Sequence, residues 1–198
     1  MIIISHRINS IDLLKSTPEY LGVEIDIRSY GKNLILHHDP FIKGEDFYEW
    51  IRYYNHKFLI LNVKEEGLEE KLLDIMTSKK IRDFFFLDQS FPFLMKTLNS
   101  GVNKCALRLS EYESIKTVLN LSGRAQWIWV DFFNKFPLEV NTIKKLKENN
   151  FKICLVSPEL QGHCPEVEIP KIIKLLGNNL QLIDAVCTKR EELWSNND

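Results

Sequence analysis

From one end of the sequence to the other, short runs of β-branched and aromatic residues alternate with amphipathic stretches, and that rhythm leaves few architectures open. The strand-like runs are 2–5, a run from 22 that turns at Ser29, Tyr30 and Gly31 into a return at 33–36, then 57–64, 83–87, 104–109, 126–132, 151–156 and 183–188. Between them lie helix-like segments. Residues 9–20 have a moderate helical pattern, 44–55 carries aromatics near helical spacing, and 65–80 places Leu68, Leu72, Leu73 and Met76 on one face. Residues 91–99 are closed by Gly101, Ser110 and Glu113 stand in capping-box spacing before a helix through Leu121, and Pro137 opens a helix to 149. A helix over 166–176, interrupted early by Pro170, and a short one over 190–194 complete the series.

The run 57–64, KFLILNVK, is too apolar for a strand with one face in water, so both its faces are expected to be buried. Strands covered on both faces and separated by helices imply a parallel sheet. Eight such units in 198 residues predict a single-domain (β/α)8 TIM barrel over 1–198, near the lower end of that fold's size. An open doubly wound sheet ranks second. No Gly-rich dinucleotide loop or phosphate-binding P-loop is present to favour a Rossmann or nucleoside-triphosphatase version.

The chemistry concentrates between residues 22 and 40. Glu24 and Asp26 are two apart in an apolar run, which on a strand aims both carboxylates to one side. The return run ends in His37, His38, Asp39 and Pro40. Barrel active sites are built at the C-terminal strand ends. Those ends supply His6 and Arg7, the Glu24/Asp26 pair with His38, the same-facing Asn62 and Lys64, and then Asp88, Arg108, Asp131, Glu159 and Lys189. Two carboxylates with an amide oxygen suit a hard divalent cation, Mg²⁺ or Ca²⁺. Two histidines suit general acid and base, and Lys64, Arg108 and Lys189 suit a phosphate. Together the parts point to metal-assisted cleavage of a phosphodiester. The competing fate of the inward carboxylates is a buried ion pair with Arg28 or Lys64.

His37, next to His38 on an extended segment, is expected to face the other way, and His56 and His163 to be solvent-facing loop residues. Of four cysteines without CxxC spacing, Cys105, Cys154 and Cys187 sit in strand-like runs as reduced core residues, with Cys164 apart from them. A net charge of −1 offers no basic footprint for nucleic acid or for an anionic membrane. The N-terminal ten residues lack the apolar region of a secretory signal, and no run has transmembrane length. A cytoplasmic protein acting on a small molecule, without stable membrane association, is expected. The oligomeric state is left open.

The order His6-Arg7, Gly-Val-Glu24-Ile-Asp26-Ile-Arg, His38-Asp39-Pro40 and Asn-Val-Lys64 resembles the glycerophosphodiester phosphodiesterases, within the phospholipase C-like phosphodiesterase barrels. The resemblance is dense over residues 1–66 and thin afterwards, with Ser90-Phe91 and the segment 184–189 similar to the fourth and eighth strands. It implies that His6 and His38 are catalytic, that Arg7 and Lys64 bind phosphate, and that Glu24 and Asp26 hold the metal. It further implies attack by a neighbouring substrate hydroxyl through a cyclic phosphate. Arg108, Asp131, Glu159 and Lys189 remain candidate lining residues. Ile8 replaces the usual glycine, Asn62 replaces the third metal carboxylate, and the insertion after the His-Asp turn is reduced to about one helix. Those departures keep two alternatives in view, a catalytically silent barrel that binds a phosphorylated ligand and a lyase that stops at the cyclic phosphate.

Overall fold

The computed structural model describes residues 1–195. In chain order its elements are β1 (Ile2–Ser5), α1 (Ile11–Ser16), β2 (Gly22–Tyr30), β3 (Asn33–Leu36), β4 (Glu45–Asp46), α2 (Phe47–Trp50), β5 (Phe58–Val63), α3 (Glu69–Ser78) and β6 (Phe84–Leu87). They continue as α4 (Phe91–Asn99), β7 (Ala106–Leu109), α5 (Ile115–Leu119), β8 (Trp127–Val130), α6 (Val140–Glu148), β9 (Lys152–Val156), α7 (Pro165–Leu176), β10 (Ala185–Thr188) and α8 (Glu191–Ser195). Every strand expected from the hydrophobic runs is present. Each of β5, β6, β8 and β10 is buried along its whole length, as expected of strands covered on both faces.

The chain divides into two compact units. One comprises residues 5–104. There β5 runs parallel between β2 and β6, in the register Asp26 to Asn62 and Asn62 to Leu87. The far half of β2 pairs antiparallel with β3, and β3 with β4. Gly31, at φ 63, makes the β2–β3 turn in a left-handed conformation that a side chain would strain. Gly44 is needed for a different reason. A Cβ there would lie 2.2 Å from the Leu36 carbonyl oxygen, so the chain closes its 37–44 excursion by backbone contact that admits no side chain.

The other unit comprises residues 1–4 and the chain from Cys105 onward. Its strands follow the order β1, β10, β9, β8, β7, with β7 to β10 parallel and the Ile2 amide donating to the Asp184 carbonyl at 2.7 Å. Cys105, Cys154 and Cys187 are buried thiols rather than disulfides, as read from their apolar runs, and Cys164 is exposed.

Several local expectations change. The helix expected over 44–55 contracts to α2, because Glu45 and Asp46 pair with β3 and the Asp46 carboxylate then caps the helix by accepting from the Glu49 amide at 3.0 Å. Ser110 does not cap α5. Its hydroxyl donates to Glu113 at 2.7 Å within a turn after β7, and Ser114 caps instead. Pro170 does not interrupt α7, where one lost hydrogen bond is outweighed by the buried face of Ile169, Ile172 and Leu176.

Candidate functional site

The candidate site grows from the alternation of β2. Val23, Ile25 and Ile27 take one face into the core, which leaves Glu24 and Asp26 together on the other, both with no exposure at all. The parallel register then sets Asn62 of β5 beside Asp26, and Lys64 follows two residues later. The Asn62 amide donates to Glu24 Oε1 at 2.8 Å. Lys64 Nζ lies 3.3 Å from Asp26 Oδ1 and donates to Asp88 Oδ2 at 2.9 Å. Of the two ion-pair partners weighed for the carboxylates, it is therefore Lys64 that engages Asp26. Arg28 turns elsewhere, donating to the His38 carbonyl at 2.9 and 3.0 Å and to the Lys64 carbonyl at 3.1 Å.

The segment after β1 is bolted across this pair. Arg7 has φ 57, a left-handed conformation uncommon outside glycine. Its amide donates to Glu24 Oε2 at 2.8 Å, and the Ile8 amide donates to the Glu24 carbonyl at 2.8 Å. Asn9 clamps Asp26 from both sides, its amide donating to Oδ2 at 2.9 Å and its oxygen accepting the Asp26 amide at 2.9 Å. Buried Trp50 donates its indole N–H to the Ile8 carbonyl at 3.0 Å. Ile8 itself is buried in the core, so the residue standing where glycine is usual carries no backbone strain and packs instead. His6 Nε2 comes within 3.8 Å of Glu24 Oε2, and Arg7 Nε within 3.5 Å of Asp26 Oδ2.

His38 reaches the same region through the backbone, because the His37 amide donates to the Asp26 carbonyl at 3.0 Å and Arg28 holds the His38 carbonyl. Its ring is half-exposed, with Nδ1 2.8 Å from the Asp39 carboxylate. That hydrogen bond, with the charges of His38, His37 and Arg7, keeps the Asp39 carboxyl below its ordinary range. His37 takes a structural part, its Nδ1 accepting the Asp39 amide at 3.0 Å. Thus His6, Arg7, Glu24, Asp26, Asn62 and Lys64 form one contact network, and His38 is tied to it through Arg28 and its own backbone.

The remaining candidates belong to the unit that begins at Cys105. Arg108 pairs with buried Asp131, which also accepts from Gln161 at 2.9 Å and from the Trp129 indole at 3.3 Å. Glu159 accepts from Ser157 at 2.5 Å, Thr188 at 2.6 Å and the Lys189 amide at 2.8 Å. Of two further histidines expected to face solvent, the expectation for His56 is corrected. His56 is buried, with Nε2 2.9 Å from the Thr17 carbonyl and its ring on Tyr54, and His163 stacks on Phe132 at 4.5 Å. His56 is packed because Tyr54 covers it, whereas His163 keeps its loop position, partly exposed, with Nε2 2.8 Å from the Phe133 carbonyl. Sequence reading missed Asn9, which had been absorbed into the 9–20 helical segment. The signal was the next residue, since Ser10 caps α1 and so leaves Asn9 outside the helix.

Burial, then the nearby charge of Asp26, pushes the Glu24 carboxyl from 4.5 up to about 7, against the opposing pull of Asn62, the Arg7 amide and Lys64. A carboxyl that holds its proton more tightly when folded stabilises the fold at low pH and loses that advantage as pH rises. Between pH 4.5 and 7 in the presence of EDTA, unfolding stability is expected to fall by about 3 kcal/mol through Glu24 alone. Urea unfolding of the wild type and Glu24→Gln across that range measures it, and an equal pH slope in both proteins would refute it.

The donor set fits a hard cation. Asn62 Oδ1 is buried with no hydrogen-bond partner, and Asp26 Oδ1 likewise lacks a hydrogen bond although Lys64 faces it. An unsatisfied buried acceptor costs about 1–3 kcal/mol, which a cation's coordination would recover. Among the described residues no group of three or more His, Cys, Asp and Glu side chains is placed to hold a metal; Asn62 bonds Glu24 through its amide nitrogen, which leaves its oxygen as a further buried acceptor.

The chain shares its α/β, TIM-barrel-like fold with solved structures of phosphodiesterases. A protein from Galdieria sulphuraria provisionally described as a glycerophosphodiester phosphodiesterase matches with TM-score 0.72 and 13% identity over 98% of each chain. A glycerophosphodiester phosphodiesterase from Agrobacterium tumefaciens matches at 0.67 and 11%, again over 98% of each chain. A glycerophosphoryl diester phosphodiesterase from Parabacteroides distasonis matches at 0.64 and 14%, over 98% of this chain and 86% of that one. No family model matches the sequence, and no curated protein matches it.

Proposed function

We propose that this protein is a cytoplasmic, metal-dependent phosphodiesterase of the glycerophosphodiester phosphodiesterase family. It is read as a single-domain (β/α)8 barrel with a short insertion after the second parallel strand, acting on glycerophosphodiesters or a related small phosphodiester. The observation that carries the reading is the network joining His6, Arg7, Glu24, Asp26, Asn62 and Lys64 at strand ends of a fold shared with such enzymes. Among the described residues no helix is long and apolar enough to cross a membrane.

In this reading Arg7 and Lys64 bind the phosphate oxygens, and Glu24, Asp26 and Asn62 hold Mg²⁺ or Ca²⁺. Bound there, the cation supplies Lewis-acid stabilisation of charge on the phosphoryl oxygens. Asp39, ionised and hydrogen-bonded to His38 Nδ1, fixes the tautomer that leaves Nε2 as the proton acceptor. His38 and His6 then form the acid–base pair. One takes the proton of a substrate hydroxyl as its oxygen attacks phosphorus, and the other gives a proton to the departing alcohol oxygen. Water opens the resulting cyclic phosphate with the roles reversed.

The test is release of alcohol from a panel of glycerophosphodiesters with Mg²⁺ or Ca²⁺ and with EDTA, the products followed by phosphorus NMR. Metal-dependent appearance of an open glycerol phosphate is expected. A cyclic phosphate as the final product would favour the lyase. Absence of turnover would favour the silent, phosphate-binding barrel, a reading that draws on Asn62 in place of a carboxylate and on the Lys64–Asp26 ion pair.

A further inference from the structure

Lys64 sits between two carboxylates on unequal terms. Its ammonium donates a hydrogen bond to Asp88 at 2.9 Å but only faces Asp26 Oδ1, at 3.3 Å and without a hydrogen bond. The other oxygen of Asp26 is committed to Asn9. Asp26 Oδ1 and Asn62 Oδ1 are therefore two buried oxygens that lack hydrogen bonds, and their residues are paired in the β2–β5 register. A divalent cation engaging them would meet the charge of Lys64, a repulsion that is strong where water is excluded. The lysine backbone cannot yield, since its amide donates to the Ile27 carbonyl at 3.0 Å and its carbonyl accepts from Arg28. The side chain can. Asp88, at the end of β6 with φ 64, already accepts a hydrogen bond from the ammonium.

We propose that Lys64 is a resident counter-ion of Asp26 that yields this carboxylate to a divalent cation by keeping only Asp88 as its carboxylate partner, its other N–H donors then serving the phosphate. The inference rests on the metal reading above and assigns Asp88 a positioning role acting through Lys64. In the metal-free protein Lys64 offsets the buried charge of Asp26, and in the loaded protein Asp88 takes over the lysine.

Simple electrostatics would also make removal of Lys64 favourable and removal of Asp88 unfavourable to a cation, so single variants do not separate the two ideas. A double-mutant cycle does. Mn²⁺ binding to the full-length protein is measured by electron paramagnetic resonance for the wild type, Lys64→Met, Asp88→Asn and the double variant, at one pH and ionic strength, with folding checked by circular dichroism. Lys64→Met is expected to bind roughly tenfold more tightly than wild type and Asp88→Asn roughly tenfold more weakly. In the Lys64→Met background the Asp88→Asn loss is expected to shrink to about twofold or less. Lys64→Gln serves the same cycle if the methionine variant does not fold. An undiminished Asp88→Asn loss in the double variant, or no gain from removing Lys64, overturns the proposal and leaves the metal reading standing. Absence of Mn²⁺ binding in all four proteins overturns both.

Discussion

Replacing His38 by alanine is expected to lower turnover of a susceptible glycerophosphodiester by roughly 10²- to 10⁴-fold, with His6→Ala falling in the same range. The two variants should differ in what else they disturb. The His38 ring is half-exposed and, among the described residues, bonds its neighbour Asp39, so its removal should leave the unfolding midpoint almost unchanged. His6 is largely buried beside Glu24, and its loss should carry a stability cost as well. A role in proton transfer predicts that kcat falls while KM moves little, whereas loss of a phosphate contact predicts the reverse. Steady-state kinetics on both variants separate these outcomes. Retained kcat in either would remove that histidine from the mechanism.

Trp50→Ala is expected to destabilise the protein by about 3–5 kcal/mol, the range for truncating a large buried aromatic. Trp50 is fully buried, lies 6.2 Å from Phe47 and 5.9 Å from Tyr54, and its indole supplies the donor that holds the Ile8 carbonyl. Two effects therefore add, a cavity and an orphaned acceptor. Trp50→Phe separates them, because it fills most of the volume but cannot donate, and about 1–3 kcal/mol is expected for the unsatisfied carbonyl. Denaturant titration of the three proteins gives both numbers. A Phe variant as stable as wild type would mean that the Ile8 bond does not hold the 6–9 segment. The same substitution should loosen Arg7 and Asn9 over the acidic pair, since the indole is what ties their segment to α2.

The architecture was legible where pattern alone decides structure. Runs such as 57–64 and 83–87 are apolar enough that only a strand buried on both faces accommodates them, and β5 and β6 lie there. The two-residue spacing of Glu24 and Asp26, and of Asn62 and Lys64, correctly set each pair on one face, because strand alternation is a local property. What pattern could not give was competition among partners. Arg28 and Lys64 were equal candidates for the carboxylates, and the choice falls to Lys64 because the His38 and Lys64 carbonyls absorb the Arg28 guanidinium. Asn9 was hidden for the same reason, since its clamp spans seventeen residues of sequence and no local rule reports it. The buried position of His56 depends on the distant Thr17 carbonyl, and the stacking of His163 on the distant ring of Phe132.

The division of the chain has a bearing on synthesis. Every contact described for Glu24 and Asp26 is made by residues 5–104, an uninterrupted stretch whose synthesis is finished before β7 is translated. The first strand has no such independence. Ile2 donates to the carbonyl of Asp184, so β1 must wait until β10, far along the sequence, exists to receive it. Contacts of long sequence separation form late, because closing the loop costs entropy before pairing repays it. The charged centre is thus built early and locally, while the sheet that contains β1 is completed only once β10 has been made.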